Sequence, residues 1–580
     1  MSDVTSRATA AFLGAAVGDA LGWPQENRSS NVDRKTPQPS MAFRAWLRRS
    51  GGRFNAYDEP VAAGTYSDDT QMICAVARSL LRGSAWHEWL TAVELPSFPI
   101  YQRGAGRALL AASRAWSAGV PPWQEHKATE PRAYFEAGGN GGAMRILPHV
   151  VAAVGAGRPL GVNALFRDVG ASHGHPRASV GAALHAAALH MSLTMGGTLG
   201  YGELIQSLLD DSSQWATIPD LKSMPEGWVA AWKSTVRNAF EETWRTTVDE
   251  VRSLLLIAQK GMGSGALASE QDTLKELGCT AVKTIGSGTA SAVGAIYLAS
   301  RSAANPKSGL LAAAYLPKAD TDTLASMTAS LLGALAGGDW MMPLASQVQD
   351  APYLADLAER ILLQREMSEE AHRVTKSGAE RFLSSIESIE TGEVLSLPDG
   401  RSVTLDARET LRSKSQSMHV EAFHVRSDDG QTLQIVRIHK EAPVASATAN
   451  QGSLPLTETR RPTRGSSSPA VSRVGVQVAV SQLAVMRPFY EDIIGMTATR
   501  IGTDFVTLND VLALSASEKL ETQGPSRVAV YVNVTNIDEL WLRVHRGGIR
   551  VVDKLSGDRG RRRFRCLDPE GNVLEVREAH

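Results

Sequence analysis

The sequence predicts a multidomain protein. An all-α domain is expected over residues 1–388, a small β-rich appendage over 389–441, a flexible linker over 442–472 and an α+β module over 473–580. Three observations predict it. Residues 8–388 are rich in Ala, Leu and Gly, carry helical periodicity and are poor in alternating β-branched runs. From about residue 390 short alternating stretches take over, punctuated by turn residues such as Pro398-Asp399-Gly400. From Arg473 a strand–helix–strands unit occurs twice in tandem. A chain of 580 residues is in any case too long for one core.

Taken in order, the N-terminus leads into an Ala/Gly-rich helix over 8–21 that Asp19 is expected to break. Helical periodicity recurs over 71–81, 104–118, 176–193, 291–301, 322–336 and 353–373, and the many small residues suit close helix packing. The Gly-rich connectors 138–142 and 286–288 read, taken alone, as turns or C-caps. Two hairpins are expected in the appendage, one over 392–405 and one over 420–438 around Ser427-Asp428-Asp429-Gly430. Residues 442–472 lack periodicity and are dense in Ser, Thr, Pro, Ala and Arg, which reads as a linker. In the last module strands are expected at 474–480 and 528–534, each followed by a helix (482–494 and 537–545) and by return strands from Gly495 and Gly548.

The formal net charge is −1 with both signs mixed throughout, which argues against a non-specific nucleic-acid binder. Cys74, Cys279 and Cys566 are far apart, form no CxxC pattern and fit a reducing compartment. No apolar run reaches the roughly 18 residues that span a bilayer. The expectation is a soluble, cytoplasmic protein with neither membrane nor nucleic acid as a partner.

The chemistry concentrates in two clusters, Ser67-Asp68-Asp69-Thr70 and Asp320-Thr321-Asp322-Thr323, each opening an apolar helical run. Taken singly, each reads as a helix N-cap, because Ser, Thr and Asp accept bonds from orphan N–H groups. Together they offer four carboxylates and several hydroxyls, an all-oxygen set suited to a hard cation such as Mg²⁺. If the fold joins them, that much like charge needs cations to neutralise it, which suggests a two-metal centre.

These clusters belong to a longer series. Gly14-Ala15-Ala16-Val17-Gly18-Asp19-Ala20-Leu21-Gly22 comes first and Tyr66-Ser67-Asp68-Asp69-Thr70 second. Gly139-Asn140-Gly141-Gly142-Ala143-Met144-Arg145, Ser172-His173-Gly174-His175-Pro176-Arg177-Ala178 and Asp320-Thr321-Asp322-Thr323 follow in that order. The series resembles the ADP-ribosylglycohydrolase family, the group containing the dinitrogenase-reductase-activating glycohydrolases.

The resemblance implies a compact all-α domain with two Mg²⁺ ions in a cleft, Mn²⁺ being a substitute. It implies metal ligation by Ser67, Asp68, Asp69, Asp320, Asp322 and Thr323, although the family usually has Thr where this chain has Ser67. The ions would hold the distal ribose and orient a water towards the anomeric carbon. Glu26, just after the first helix, stands where relatives carry a glutamate that gates the site; Glu26, Asp69 and Asp322 are the candidate bases. Read without the family, Glu26 is a surface loop acid. The resemblance further implies a diphosphate held by the backbone of Gly139, Asn140, Gly141, Gly142, Ala143 and Met144. It implies a nucleotide contact by His173, and a loop closing over the ligand at Gly286 and Ser287. His173 and His175 form a His-x-His pair, but no third ligand sits at a spacing that would complete a zinc site. His185 and His190 read as packing residues. Relatives from the nitrogenase system carry an acid near Gln102, and this chain has none there.

The tandem βαβββ units, with the closing run over 566–576, resemble the vicinal-oxygen-chelate (glyoxalase/bleomycin-resistance) module. Metal-dependent members use His or Gln early in each opening strand, where this chain has Gly475 and Ala529, and only Glu575 stands at an expected acid position. The module is therefore expected to be metal-free and used for binding, with homodimerisation through 473–580 as one use. Arg559, Arg561, Arg562 and Arg563 read as a solvated turn rather than a phosphate contact. The leading functional expectation is a Mg²⁺-dependent hydrolase removing ADP-ribose from a modified side chain, arginine first, or from a small-molecule conjugate. Two others stand beside it: an ADP-ribose-binding or toxin-neutralising protein without turnover, and a glyoxalase-like or drug-binding activity in the C-terminal module.

Overall fold

The computed structural model describes residues 2–440 except 27–37, 53–54, 196–199, 264–268, 368–371 and 416–417. Beyond 440 it describes 476–480, 490, 498–501, 505–508, 512–516, 529–534, 537–546, 549, 551–556, 562–567 and 573–578. The chain forms two compact units, Met1–Ser446 and Ala447–His580.

The first unit is a helical body with a sheet on one side. Its helices include α1 (Ser2–Glu26), α2 (Asp68–Leu80), α3 (Arg107–Ser117), α4 (Leu147–Gly155), α5 (Val162–Gly170) and α6 (Pro176–Thr194). They continue with α7 (Phe240–Gly263), α8 (Gly288–Ser302), α9 (Thr321–Ala336), α10 (Ala351–Leu362) and α11 (Lys376–Ser385). The small residues of the sequence do what their size allows. A Cβ on Gly18 would lie 2.2 Å from the Ala325 carbonyl oxygen, and one on Gly22 would lie 2.2 Å from that of Thr321. Helices α1 and α9 therefore meet backbone to backbone, at a separation that no side chain on those glycines would permit.

Three expectations are corrected here. Helix α1 is not broken at Asp19; it runs through it, because the Asp19 carboxylate finds partners on another helix. It also reaches Glu26, which lies in its last turn rather than in a following loop. The helix expected over 353–373 stops at Leu362, where Gln364 takes a positive φ of 51° that a helix cannot continue.

The β segment also sits differently from the expected appendage. Strands β3 (Val394–Ser396), β4 (Ser402–Ser413), β5 (Met418–Ser427) and β6 (Thr432–Lys440) form the two anticipated hairpins. They join β1 (Trp46–Ser50) and β2 (Tyr57–Val61), from between α1 and α2, in one sheet ordered β1-β2-β4-β5-β6, with β3 beside β4. The join is antiparallel, Tyr57 opposite Ser413 and Asp58 opposite Arg412, and the Lys414 ammonium pairs with Asp58. The physical reason lies in α2, which is buried from Asp68 to Ser79. Ile73, Cys74 and Ala77 face the helical core, while Met72, Ala75 and Val76 pack with Phe382, Ile386, Val403, Phe423 and Ile435. A helix with apolar residues on two opposite faces needs cover on both sides.

Among the described residues, the second unit holds two four-stranded sheets of matching order. One is β7 (Val476–Val480), β10 (Leu512–Ala516), β9 (Phe505–Leu508) and β8 (Ala498–Ile501); the other is β11 (Ala529–Val534), β14 (Val573–Glu578), β13 (Arg563–Leu567) and β12 (Val551–Ser556). In each the opening strand runs parallel to the last strand of its unit. Helix α12 (Ile537–Arg546) buries Ile537, Leu540 and Val544. The helix expected over 482–494 and the linker expected over 442–472 lie outside the described residues, Tyr490 apart. No described helix is long and apolar enough to cross a membrane.

Candidate active site

Helix α1 is the frame on which the two acidic clusters are set. The Asp19 carboxylate, fully buried, accepts the Ser67 N–H at 2.9 Å with one oxygen. Its other oxygen accepts the Thr70 N–H at 3.0 Å and the Thr70 hydroxyl at 2.6 Å. These bonds satisfy orphan donors at the start of α2, and the Asp68 N–H is taken in turn by the Arg103 carbonyl at 3.0 Å. On the other side the Thr321 hydroxyl donates to the Gly22 carbonyl at 2.9 Å, which fixes the start of α9. The N-cap reading holds for the first cluster, where the Ser67 hydroxyl accepts the Asp69 N–H at 3.4 Å, whereas Asp320 stands at the N-cap of α9 without a side-chain capping bond.

The two clusters thereby face one cleft of about 880 Å³, lined by Glu26, Asp68, Asp69, Asp320, Asp322 and Thr323. Carboxylate oxygens of Glu26, Asp320 and Asp322 lie within 4.8 Å of one another. The Thr323 hydroxyl donates to Asp69 Oδ2 at 3.3 Å, bridging the clusters. Two glycines of positive φ leave room beside the acids. A Cβ on Gly104 (φ 108°) would stand 3.0 Å from Asp68 Oδ1, and one on Gly286 (φ 72°) would stand 3.0 Å from Asp320 Oδ2. Ser67 does not line the cleft; it is buried behind it, on the Asp19 side.

Taken as protein alone, this cluster is electrostatically unfavourable. Burial, then Asp19 and the other neighbouring acids, raises Asp68 and Asp69 well above the usual carboxylate range. Burial, followed by Glu26 and Asp320, does the same to Asp322. Solvent reaches Glu26, yet desolvation by the surrounding protein and the charge of Asp320 push it up to about 7. Asp69 Oδ1 is buried with no hydrogen-bond partner among the described residues. A buried carboxylate oxygen without a donor, among like charges, is the arrangement a hard divalent cation completes, and the all-oxygen donor set fits Mg²⁺.

The glycine loop forms the next wall. Gly139, Asn140, Gly141 and Met144 line the cleft, whereas Gly142 and Ala143 are buried beneath it. The Asn140 side chain donates to Asp320 Oδ2 at 2.9 Å and to Ser291 Oγ at 3.2 Å, so it holds a cluster acid in place. The Asn140 N–H donates to the Gly286 carbonyl at 2.8 Å and the Gly288 N–H to the Gly138 carbonyl at 3.0 Å. Gly286 and Ser287 are thus stitched to the glycine loop, with Gly139 and Ser287 paired as an antiparallel bridge; Gly286 lines the cleft and Ser287 does not. Gln102 Oε1 accepts the Ala105 N–H at 3.0 Å.

His173 lines the cleft beside this loop and His175 does not. The His175 ring instead caps α6, accepting the Arg177 N–H at 3.1 Å. Among the described residues only Glu26, Asp320 and Asp322 form a set of His, Cys or acidic groups close enough to share an ion. His173 Nδ1 lies 2.8 Å from Ser172 Oγ, and burial followed by Arg145 pushes its imidazole down to about 3. His185 is buried in α6 and its imidazole is likewise pushed down to about 3.

Two functional groups were missed in the sequence. Asp19 looked like a helix break, although one acid among apolar residues could have been read as a buried group in need of partners. Arg145 closes the glycine motif but was given no role, and its partner Asp168 had no local signal; both are fully buried and pair at 2.7 Å behind His173. In the second unit both Glu575 oxygens are engaged by arginines, Arg565 at 2.8 Å and Arg577 at 2.7 Å. Arg562 bonds Glu578 at 2.6 Å and Asp538 at 2.8 Å. Gly475, Arg559 and Arg561 lie outside the described residues.

Comparison with known proteins bears on both units. A family model described as ADP-ribosylglycohydrolase matches residues 1–371. A second, described as the Glyoxalase/Bleomycin resistance protein/Dioxygenase superfamily, matches 473–576. No curated protein matches the chain at a significant level. Among solved structures, an ADP-ribosylglycohydrolase-related protein complex is 19% identical, with 63% of this chain and 100% of that chain covered and a TM-score of 0.38. TioX from Micromonospora sp. ML1 is 20% identical over 19% of this chain and 99% of its own, with a TM-score of 0.17. TnmS3, an antibiotic binding protein from Streptomyces sp. CB03234, is 21% identical over 19% of this chain and 98% of its own, with a TM-score of 0.16.

Proposed function

The chain belongs to the ADP-ribosylglycohydrolase family, and from that premise we propose that it hydrolyses the bond between ADP-ribose and a modified side chain in a Mg²⁺-dependent reaction, with N-linked arginine as the favoured substrate. Membership by itself supports a glycohydrolase acting on ADP-ribose conjugates. The observation that carries the finer reading is the convergence of Glu26, Asp68, Asp69, Asp320, Asp322 and Thr323 on one cleft, with an unpartnered buried oxygen on Asp69.

Asp68, Asp69, Asp320, Asp322 and Thr323 would hold two Mg²⁺ ions, or Mn²⁺ in their place, with Ser67 supporting them from behind. Bound there, the ions would supply charge neutralisation and Lewis-acid polarisation of substrate and water oxygens. The remaining work belongs to the chain. Glu26, on the solvent-reached side of the cluster, takes the proton of the attacking water, with Asp69 and Asp322 as the other acids within the same wall. The acidic wall favours the positive charge that develops on an oxocarbenium-like sugar. Asn140 keeps Asp320 in place, and the backbone of Gly139 and Gly141 admits the diphosphate closely because no Cβ stands in the way.

The test is release of free ADP-ribose from an arginine-ADP-ribosylated protein by the intact chain and by Asp69→Ala. The expected result is turnover by the former and loss of at least about a hundredfold in the latter. Turnover unaffected by Asp69→Ala would place the activity elsewhere, the C-terminal module included. ADP-ribose binding by a chain that turns nothing over would instead favour a binding protein on this fold.

A further inference from the structure

Behind His173 runs a chain of buried polar groups that the reaction above does not use. Asp168 is fully buried and accepts from Arg145 Nε at 2.7 Å on one oxygen and from His149 Nε2 at 2.9 Å on the other. Its carbonyl accepts Arg145 Nη2 at 2.7 Å. Arg145, equally buried, is thereby locked in orientation, with Nη1 directed at Ser172 Oγ at 2.9 Å. Ser172 Oγ in turn lies 2.8 Å from His173 Nδ1.

The donor inventory of these groups fixes where the protons sit. A guanidinium only donates, so Ser172 Oγ must accept from Arg145. The serine proton is then free for His173 Nδ1, which becomes the acceptor and leaves the imidazole proton on Nε2. The opposite tautomer would point an Nδ1–H at the same oxygen and strand a buried hydroxyl proton without an acceptor, which is costly. A charged imidazolium is opposed by burial and by the Arg145 charge, the two influences that push this ring down to about 3. At the far side of the ring no described residue accepts from Nε2. That atom lies over the glycine loop, 3.1 Å from where a Cβ on Gly141 would stand and 3.7 Å from one on Gly139.

We propose that Asp168, Arg145 and Ser172 are positioning residues that hold His173 as a neutral imidazole with a fixed Nε2–H donor aimed into the cleft. The group it takes is an acceptor oxygen of the diphosphate–ribose portion of the substrate, so His173 is neither an acid–base catalyst nor a metal ligand. The identity of that acceptor rests on the glycohydrolase reading; the fixed tautomer does not. A buried ion pair is expensive to keep for stability alone, and here its yield is the orientation of one hydrogen.

The experiment is long-range ¹H–¹⁵N spectroscopy of the full chain carrying ¹⁵N-histidine, with His173→Gln used to assign the signal. The expected result is a protonated Nε2 and an unprotonated Nδ1, unchanged from pH 5 to 8. Ser172→Ala should give mixed tautomers and bind ADP-ribose on the order of tenfold more weakly. A protonated Nδ1, a titration of this ring between pH 5 and 8, or an unmixed tautomer in Ser172→Ala would each overturn the proposal. The tautomer is read without ligand. Failure of the wild-type chain to bind ADP-ribose would therefore overturn the glycohydrolase reading and the assigned acceptor, and leave the tautomer to be decided by the spectrum.

Discussion

Glu26 ends α1 within reach of Asp320 and Asp322, and protein burial and the Asp320 charge raise its carboxyl to about 7. Asp68, Asp69 and Asp322 are raised as well. A carboxyl raised in the folded state contributes stability that is complete below its unfolded value and is lost as pH rises through the folded value. The metal-free protein should therefore lose the Glu26 contribution between about pH 4.5 and 7, and the three raised aspartates add further loss as each is deprotonated. A divalent cation competes with these protons and gains as they leave. The rise in Tm on adding Mg²⁺ is expected to be larger at pH 8 than at pH 5.5, by calorimetry in Mg²⁺ against EDTA; an equal rise at both would count against the cluster as the binding site. At this scale Asp68, Asp69, Asp320 and Asp322 were legible, because hydroxyl–acid pairs opening apolar helices are a local pattern, whereas Glu26 stood out only through the family resemblance. Asp19 was not, since its partners lie 48 and 51 residues away.

Helix α1 holds α2 through Asp19 and α9 through Gly22, and ends in Glu26, so one element sets the spacing of three contributors to the cleft. The close approach of α1 to α9 should be intolerant of any side chain. Gly18→Ala would drive a methyl onto the Ala325 carbonyl, with its nearest contact at 2.2 Å on backbone that cannot swing aside. We expect a loss of about 1–3 kcal/mol in urea unfolding together with weaker Mn²⁺ binding, because separating the helices moves Thr321 from Gly22. Wild-type stability and metal affinity in this variant would contradict the frame. Helix existence was readable from 3.6-residue periodicity. Ends were less so, because Gln364 at positive φ and the last turn carrying Glu26 depend on tertiary neighbours rather than on composition.

At the scale of the molecule, the first unit includes the β segment and the second stands as a separate unit. Ending the chain after Ser446 should leave cooperative unfolding and ADP-ribose release intact. Ending it at 388 should abolish both, because β4–β6 cover Met72, Val76, Phe382 and Ile386. Survival of a 1–388 fragment would contradict the shared core. The hairpins were visible as alternating runs, but their pairing with β1 and β2 was not, since a strand pairing across some 350 residues has no local signal. The repeat in the second unit was legible in the same way, as a pattern that occurs twice.

The central claim is hydrolysis dependent on a hard divalent cation. Its most direct measurement is the initial rate of ADP-ribose release from an arginine-ADP-ribosylated protein, followed as Mg²⁺ is removed by EDTA and then restored. The account predicts release that disappears on chelation and returns with Mg²⁺ or Mn²⁺. Release that continues undiminished in EDTA would contradict it.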